Sequence, residues 1–419
     1  VVALLETLPA VSSATATGSV RRWRETVGDL DVLVETTQPD TVIRSLRALP
    51  EVEGVDDGVR GGGDRISLRL AEGPQLDVMT MLPGAAGSYL VHFTGSAEHN
   101  VALRHRARER GWSLSERGLT PLDDESAPPR TFATESELYA FLDLAEIPPE
   151  LREGRGEVEA AAAGTLPRLV ERSGLRGDCH SHSHWSDGRE PLEVMASSAR
   201  AVGREYQVVT DHSHSLTIAN GLDPARVEAQ RRAIAELNER FAREHAAGEL
   251  PAGASPDGFE LLHGTELEIT IDGRLDYDDR LLASLDVVVA SLHVGRRQPR
   301  DRLMARYERA LRNPHVDIIA HPSGRKIGVR PELDLDWEAF YRLAAETGTL
   351  LEINGSEARL DLDEHRIRAA VDAGCRFVID SDAHERSEWR HLDWGTAIAR
   401  RGWLGPEHVA NTLPRDAFR

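Results

Sequence analysis

From residue 178 onward, short apolar segments alternate with amphipathic segments of helical period, giving about seven strand–helix units. Such an alternation is typical of a parallel sheet, and this number of units favours a closed barrel. In such a barrel the chemistry lies at the carboxyl ends of the strands, and nearly every predicted strand here ends at a His, Asp or Glu. The predicted strands are 206–210, 260–263, 287–291, 318–320, 350–353 and 377–379, and the predicted helices are 191–203, 224–246, 301–312, 336–347 and 363–373.

Histidines and carboxylates recur at these strand ends. In an extended strand residues i and i+2 share a face, so His180 and His182 point together, and Asp382 and His384 repeat that geometry. One such histidine is more often a hydrogen-bonded polar residue, but repetition at successive strands predicts a site for about two or three ions of Zn²⁺, Mn²⁺ or Fe²⁺. Paired ions about 3.5–4 Å apart activate a water and clamp a phosphoester. The motifs are DCHSH (178–182), SDG (186–188), TDHS (210–213), GTE (264–266), SLH (291–293), AHP (320–322) and SDAH (381–384).

These motifs, in this order, resemble those of the PHP (polymerase and histidinol phosphatase) superfamily. The resemblance implies a distorted seven-stranded barrel that binds three metal ions and hydrolyses phosphate esters. Arg325, one turn past the AHP motif, could hold a substrate phosphate as a bidentate donor or form a salt bridge within its loop. The extra histidines His184 and His214 are expected outside the metal contacts. The ligands that the resemblance implies are His180, His182, Asp187, His212, Glu266, His293, His321, Asp382 and His384.

The first part of the chain predicts a small α+β domain, with strands at 29–35, 65–70 and 75–82 and helices at 39–49 and 97–111. Asp29 and Asp31 flank Leu30, so both carboxylates face one side of their strand. Asp77, on another strand, can complete a three-carboxylate cluster of the kind that holds two Mg²⁺ ions for in-line phosphoryl transfer. On spacing alone, a DxD in an acidic protein is usually a solvated face.

The neighbouring motifs GSxRR, GDxD, LDV and FTGS…HN resemble the palm and thumb of family X DNA polymerases. The resemblance implies that Asp29, Asp31 and Asp77 are catalytic metal ligands. His92 stands where the family usually carries Tyr, and Gln75 stands where vertebrate members carry Arg. Of the remaining residues, the resemblance implies triphosphate contacts for Gly18, Ser19 and Arg22, a place beside the sugar for Phe93 and Gly95, and one near the base for Asn100.

The expected organisation is an α/β protein in which a small polymerase-like α+β region precedes a distorted (β/α)7 barrel. The segment IPPELREGRGE, with two prolines and two glycines, marks a linker and is similar to the connector of bacterial family X enzymes that carry a PHP domain. Family members begin with a lyase domain and a fingers subdomain, and this chain is expected to lack both. The predicted boundaries are palm 1–90, thumb 91–150, linker 151–177 and PHP domain 178–419.

Charge and composition limit the partners. The 419 residues carry a net charge of −20, which argues against a general polyanion binder, and the acidity suits either solubility or a cation-loading site. No apolar run is long enough to cross a membrane, and two cysteines, Cys179 and Cys375, fit a reducing cytoplasm better than a single disulfide. We therefore expect a cytoplasmic protein, most simply a monomer, that binds DNA and dNTPs but no membrane.

The resulting hypothesis is a DNA repair polymerase fragment with a PHP 3′-5′ exonuclease that also acts at abasic sites. Mg²⁺ is expected at the palm, and two or three Mn²⁺, Zn²⁺ or Fe²⁺ ions at the barrel. One alternative is a phosphatase acting on a small phosphomonoester, with a non-functional palm. Another is a noncatalytic module that binds DNA ends.

Overall fold

The computed structural model describes residues 1–56 and 65–418, the side chain of residue 56 excepted. Contacts divide the chain into two units, Val1–Leu166 and Pro167–Arg419. Within the described residues, no helix has both the length and the apolar character that crossing a membrane requires.

Over its described residues, unit 1 contains a five-stranded sheet, a separate hairpin and several helices. Its strands are β1 (Ser13–Ala16), β2 (Asp29–Glu35), β3 (Val52–Asp56), β4 (Arg65–Leu70), β5 (Gln75–Met81), β6 (Trp112–Ser115) and β7 (Gly118–Pro121). Its helices are α1 (Val2–Leu5), α2 (Gly18–Arg21), α3 (Pro39–Arg47), α4 (Ala86–Thr94), α5 (Ala97–Glu109), α6 (Glu135–Phe141) and α7 (Glu157–Ala163), with a 3-10 turn at Pro149–Leu151.

The five strands lie in the order β1-β2-β5-β4-β3. Strands β2 and β5 are parallel neighbours, and their register sets Asp31 directly opposite Asp77. The central residues of β2, Val32, Leu33 and Val34, are buried, as the apolar run in DLDVLVE predicts for an inner strand. The sheet therefore fixes two of the three candidate aspartates side by side.

A network of charged side chains joins the end of α2 to α6 and to the residue that follows the 3-10 turn at Pro149–Leu151. Glu135 accepts hydrogen bonds from Arg21 (Nη1–Oε1, 2.8 Å) and from the fully buried Arg152 (Nη1–Oε1, 2.6 Å). Helix α6 itself begins at a capping box in which Thr134 and Glu137 bond to each other's backbone amides. Unit 1 is thus held together by buried ion pairs as well as by its apolar core.

Unit 2 alternates strands and helices as predicted. Its strands are β8 (Gly177–Asp178), β9 (Tyr206–Val209), β10 (Glu260–Glu268), β11 (Val287–Ser291), β12 (Ile318–Ile319), β13 (Leu350–Asn354) and β14 (Phe377–Asp380). Its helices are α8 (Leu192–Ala201), α9 (Pro224–Ala246), α10 (Asp279–Leu282), α11 (Arg300–Leu311), α12 (Trp337–Thr347), α13 (Glu364–Asp372), α14 (His391–Arg401) and α15 (Arg415–Phe418). Short 3-10 turns lie at Arg172–Gly174, Thr217–Ala219, Arg386–Arg390, Pro406–His408 and Ala410–Thr412.

All seven strands of unit 2 are parallel and follow one another in chain order. The two edges meet just beyond β8 and β14, where Ser181 pairs with Ala383 and the amide of His182 donates to the carbonyl of Ala383 at 2.8 Å. Alternate residues of β11 enter different apolar clusters, Val287 and Val289 in one and Val288 in the other, because both faces are covered. The predicted α/β fold with a seven-stranded parallel barrel is confirmed.

The structure differs from the sequence prediction mainly in element ends. Strand β10 runs on to Glu268, so Glu266 lies inside the strand rather than after it. Helix α4 and the hairpin of β6 and β7 were not predicted, because AGSYLVHFT is apolar on most sides and the hairpin strands have only four residues each.

Candidate metal centres

The predicted ligands of unit 2 lie at one end of the barrel. His180 and His182 follow β8, His212 follows β9, and Glu266 lies near the end of β10. Parallel strands present their carboxyl ends at the same rim, so ligands that are far apart in sequence come together there. The ligands on the remaining strands of that rim are His293 after β11, His321 after β12, and Asp382 and His384 after β14.

Eight of the nine predicted ligands fall into three overlapping groups, within each of which one ligand atom per residue lies within 4.8 Å of the others. The ninth, His321, places its Nε2 atom 3.0 Å from Oε1 of Glu266. Glu266 also contacts His212, since its other carboxylate oxygen lies 2.9 Å from Nδ1 of that histidine. The groups are His182 with Asp187, His212 and His384; His180 with His182 and Asp382; and His212 with Glu266 and His293.

Oxygen acceptors fix the orientation of three histidine rings. Nδ1 of His180 contacts Glu352 at 2.6 Å, and Nδ1 of His293 contacts Glu268 at 2.8 Å. Nδ1 of His384 contacts the carbonyl oxygen of Asp382 at 2.9 Å. With Nδ1 occupied, each ring presents Nε2 to the cluster, which is the arrangement that orients metal-binding histidines.

Asp187 reaches the cluster from a loop that a neighbouring carboxylate organises. Asp211 accepts hydrogen bonds from the amide and hydroxyl of Ser183 at 2.8 and 2.6 Å, and from the amide of Ser186 at 3.1 Å. The hydroxyl of Ser186 and the amide of Gln230 add two further donors. A side chain on residue 188 would collide with this turn, since a Cβ there would lie 2.5 Å from the amide nitrogen of Ser183.

His182 lies at the centre of the site and has an unsatisfied ring nitrogen. It is buried, and its Nδ1 has no hydrogen-bond partner among the described residues, although Asp187 lies 3.8 Å away. Burial, followed by the charges of His384 and His212, lowers the pKa of His182 to about 4. A buried neutral imidazole with an orphaned nitrogen among carboxylates fits a divalent cation, because metal ligation requires the unprotonated ring.

Two candidate ligands hold strained backbones. His321 has φ of 29° and Asp382 has φ of 52°, a left-handed region that residues other than glycine rarely adopt. Such conformations cost of order 1–3 kcal/mol and concentrate at functional sites. Asp382 is held in addition by the amide of Asn354, which donates to its Oδ2 at 3.0 Å.

The other predicted residues of unit 2 lie outside these groups. His184 is exposed and contacts the carbonyl of Arg189, and Nδ1 of His214 lies 3.4 Å from Asp276. Arg325 donates through Nε to the carbonyl of Arg359 at 2.9 Å and lies 3.5 Å from Asp363. Its guanidinium therefore holds the loop 359–363, while its predicted phosphate contact stays a prediction.

The three aspartates of unit 1 form a fourth group of the same kind. Asp29 and Asp31 come from β2 and Asp77 from β5. Burial, followed by the charges of Asp29 and Asp77, raises the pKa of Asp31 to about 6. Gly18 packs so closely that a Cβ there would lie 2.1 Å from Oδ2 of Asp31, and its φ of 60° also favours glycine. Crowded carboxylates that repel one another suit divalent cations.

Asp77 already receives hydrogen bonds from neighbouring side chains in this structure. Arg65 donates to its Oδ2 at 2.6 Å and Gln75 to its Oδ1 at 2.9 Å. Burial alone would raise the pKa of Asp77, but these hydrogen bonds, together with that of Ser67, lower it. Asp77 is therefore ionised at neutral pH.

The residues predicted to contact a nucleotide lie in two small sets, one around Arg22 and one around His92. Arg22 donates through Nη1 to the carbonyl of Thr94, next to Gly95, and its Nε contacts Glu153 at 3.0 Å. Ser19 lies within α2, beside Gly18. Phe93 makes an edge contact with His92, with ring centroids 4.8 Å apart, and the side-chain amide of Asn100 donates to the carbonyl of His92 at 2.7 Å.

Sequence reasoning assigned no role to four residues that shape the two sites, Glu268, Glu352, Asp211 and Arg65. A signal existed for the two glutamates, because Glu352 is the only charged residue of a buried strand and Glu268 is two positions from Glu266 in another. Asp211 stands inside the TDHS motif. Arg65 carried no signal, since only the pairing of β4 with β5 brings it to Asp77.

A parallel barrel with overlapping histidine–carboxylate groups, preceded by a sheet with three clustered aspartates, is typical of the class of proteins that carry out metal-dependent phosphate chemistry. Residues 89–153 match the family model of the DNA polymerase beta thumb. A probable phosphatase of Syntrophotalea carbinolica is 32% identical over 222 residues, which are 48% of this chain and 90% of that protein. The chain therefore belongs to the family of that protein, the PHP-type phosphatases, and its residues 89–153 are similar to the thumb of DNA polymerase beta.

Two further relatives extend the comparison. The DNA polymerase/3′-5′ exonuclease PolX of Bacillus subtilis (strain 168) is 38% identical over 396 residues, or 94% of this chain. A probable phosphatase of Thermoanaerobacter sp. (strain X514) is 30% identical over 166 residues, or 37% of this chain. The chain spans 66% of the length of the first and 65% of the second, less than two thirds of each.

Proposed function

We propose that the chain is a bacterial-type family X DNA polymerase joined to a PHP nuclease. Unit 1 adds nucleotides to a primer opposite a DNA template during repair. Unit 2 removes nucleotides as a metal-dependent 3′-5′ exonuclease and also cuts at abasic sites. The observation that carries the proposal is the presence of two separate ligand sets in one chain. The similarity to the Bacillus polymerase/exonuclease over 94% of the chain supports the same pairing.

At the barrel, we propose that two or three Mn²⁺, Zn²⁺ or Fe²⁺ ions bind to the nine predicted residues. Bound ions of this kind supply a water of lowered pKa and neutralise phosphoryl oxygens. The chain's own contribution is orientation, because Glu352 and Glu268 hold the rings of His180 and His293. The proposed ligands are His180, His182, Asp187, His212, Glu266, His293, His321, Asp382 and His384.

At the sheet of unit 1, we propose that Asp29, Asp31 and Asp77 hold Mg²⁺. These carboxylates position the primer end and the incoming dNTP in line, which is most of what phosphoryl transfer requires of a protein. Arg22 would have to exchange its contact with Glu153 for a triphosphate oxygen. The remaining proposed nucleotide contacts are Gly18, Ser19, Phe93, Gly95 and Asn100.

The organisation and partners follow from this function. We propose a palm at 1–90, a thumb at 91–150, a linker at 151–177 and a PHP domain at 178–419. The partners are gapped or primer-template DNA, its 3′ ends and dNTPs, and the protein acts as a cytoplasmic monomer.

A second candidate is a phosphatase acting on a small phosphomonoester, with a non-functional palm. The contacts of Arg65 and Gln75 with both oxygens of Asp77 favour it, because they compete with a metal ion. The probable phosphatases among the relatives point the same way.

Separate inactivation of the two sites tests the proposal. Asp29→Asn should abolish primer extension and leave 3′-end hydrolysis intact, whereas His182→Gln should do the reverse. The matched controls are Asp40→Asn and His105→Gln, both at exposed positions of unit 1. Loss of both activities in either folded variant would contradict two independent sites. Hydrolysis of a small phosphate ester without hydrolysis of DNA ends would favour the phosphatase.

A further inference from the structure

Three loops at the rim of the barrel bring together four basic side chains, Arg296, Lys326, Arg330 and Arg359, here called the basic cluster. Nη2 of Arg296 and Nε of Arg330 both donate to the carbonyl of Gly324, at 2.7 and 3.0 Å. The backbones of Lys326 and Arg330 bond to each other at 3.1 and 2.9 Å. The segment 324–330 therefore positions three of the four cations.

The basic cluster borders the candidate metal site. Nε of Arg359 lies 3.6 Å from Oδ2 of Asp382, one of the proposed ligands. The loop that carries Lys326 and Arg330 begins at His321, another proposed ligand. An anion bound to the cluster would thus lie next to the phosphate undergoing hydrolysis.

Two guanidinium groups of the cluster have unused donors. Nη1 of Arg359 and Nη1 of Arg296 are buried without a hydrogen-bond partner among the described residues. The Arg359 side chain is only 11% exposed. A buried charged donor without a partner is costly, so such groups normally meet an anion or a ligand.

Among the described residues, the carboxylates near the basic cluster are fewer than its four cations. The carboxylates with the largest effects on Arg296, Lys326 and Arg330 are Asp361 and Asp382. Asp361 is also engaged by the amides of residues 323 and 324, at 3.1 and 2.7 Å.

The neighbouring cations disfavour one another's protonated, charged forms. Burial, and then the charges of Arg296 and Arg359, lower the pKa of Arg330 to about 10. Four cations gathered in a chain of net charge −20 indicate a local anion site rather than a basic surface.

The geometry points to the basic cluster as the site for a second phosphate of a nucleic-acid strand, the phosphodiester next to the one hydrolysed at the 3′ end. This inference rests on the proposed hydrolytic function of the barrel. A small phosphomonoester carries one phosphate, which the metal site would take, and it would leave the cluster without an anion. A polynucleotide offers a second phosphate, and guanidinium groups bind phosphate oxygens in bidentate pairs. Val329, 79% exposed within the same loop, provides apolar surface for the adjoining base.

Lys326 allows a direct test because it is the only lysine in the chain. Amine-reactive labelling followed by peptide mass spectrometry would report its accessibility with chelator present, so no hydrolysis occurs. A single-stranded oligodeoxynucleotide should slow the labelling of Lys326 severalfold in the full chain, and an equal concentration of inorganic phosphate should not. Equal protection by inorganic phosphate, or no protection by the oligonucleotide, would overturn the inference.

Substitution supplies the second readout. Lys326→Gln and Arg330→Gln should each raise the KM for 3′-end hydrolysis about tenfold with little change in kcat, since one charge-assisted contact is lost. They should also reduce the salt slope of log KM by about 0.7. Arg297→Gln and Arg312→Gln, exposed arginines outside the cluster, are the matched controls.

The same assays separate this inference from the proposed function. If the wild-type chain hydrolyses 3′ ends but the cluster variants behave like their controls, the inference alone fails. If the wild-type chain does not hydrolyse 3′ ends, the proposed function fails, whereas protection of Lys326 by the oligonucleotide still tests the phosphate site.

Discussion

The carboxylate of Glu352 joins two strand ends of the barrel, accepting from Nδ1 of His180 at 2.6 Å and from the backbone amide of His321 at 2.5 Å. Both histidines are proposed ligands, so a single buried glutamate on β13 orients one ring and the backbone of another. Replacing a residue that hydrogen-bonds to a metal ligand commonly lowers metal affinity by about 10–100-fold.

Glu352→Gln should therefore weaken metal binding about 10–100-fold while the barrel stays folded. The amide retains the size of the carboxylate but cannot stabilise the His180 ring by charge. Metal titration of the chelator-treated protein measures the affinity, and circular dichroism reports the fold. The control is Glu346→Gln, an exposed glutamate on α12. Unchanged affinity in Glu352→Gln would remove Glu352 from the site.

Asp211→Asn should disorder the turn that carries Asp187. The side chain accepts from five donors, and an amide nitrogen would oppose some of them, at a cost of about 1–3 kcal/mol for each buried group left unpaired. Hydrogen exchange should then accelerate at residues 183–188, and hydrolysis should fall more than primer extension. Unaltered exchange in that segment would contradict the role assigned to Asp211.

Asp31→Asn should stabilise the metal-free protein. Because the pKa of Asp31 is raised to about 6 in the folded state from an ordinary value of 3.8, ionising it costs folding free energy as pH rises through that interval. The variant should therefore have a free energy of unfolding about 1 kcal/mol higher than the wild type, after allowance for solvent screening. This difference should be fully present above pH 6 and absent below pH 4. Thermal unfolding with chelator at several pH values measures it, and a uniform effect at all pH values would argue against charge repulsion.

Glu135→Gln should destabilise unit 1 by about 3–5 kcal/mol, because it leaves the buried guanidinium of Arg152 without its charged partner. Burial alone would raise the pKa of Glu135, but Arg21 and Arg152 hold it below the usual value. A depressed carboxyl pKa contributes stability above the unfolded value of about 4.5, and that contribution is lost as pH falls further. Denaturant unfolding from pH 7 to 3 should show this loss in the wild type and in Glu125→Gln, but not in Glu135→Gln.

The barrel could be predicted because its signals are local. Each strand is a short buried apolar run and each helix has a clear period, so strands such as Val287–Ser291 fall where the pattern sets them. The proximity of the proposed ligands could be predicted for the same reason, since most of them follow strand ends that converge in a parallel barrel. Glu266 shows the limit, because the end of β10 depends on pairing with β11 rather than on its own residues.

Contacts between distant residues could not be predicted. The bond of Arg65 to Asp77 depends on strand register, and the contact of Arg22 with Glu153 joins residues 131 positions apart. The basic cluster likewise forms only when separate loops fold together, and nothing in the sequence marks its four members as a group. Ion pairs and hydrogen bonds that form only in the tertiary structure produce no periodic pattern in the sequence.

The central claim is that the histidines and carboxylates of the barrel form a site for several metal ions. Elemental analysis of the protein purified without chelator tests it most directly, with His182→Gln as the comparison, because His182 belongs to two of the three ligand groups. We predict about two or three equivalents of Mn, Zn or Fe per wild-type chain and a loss of about one or more in the variant. Less than one equivalent in the wild type, or equal content in both proteins, would contradict the account.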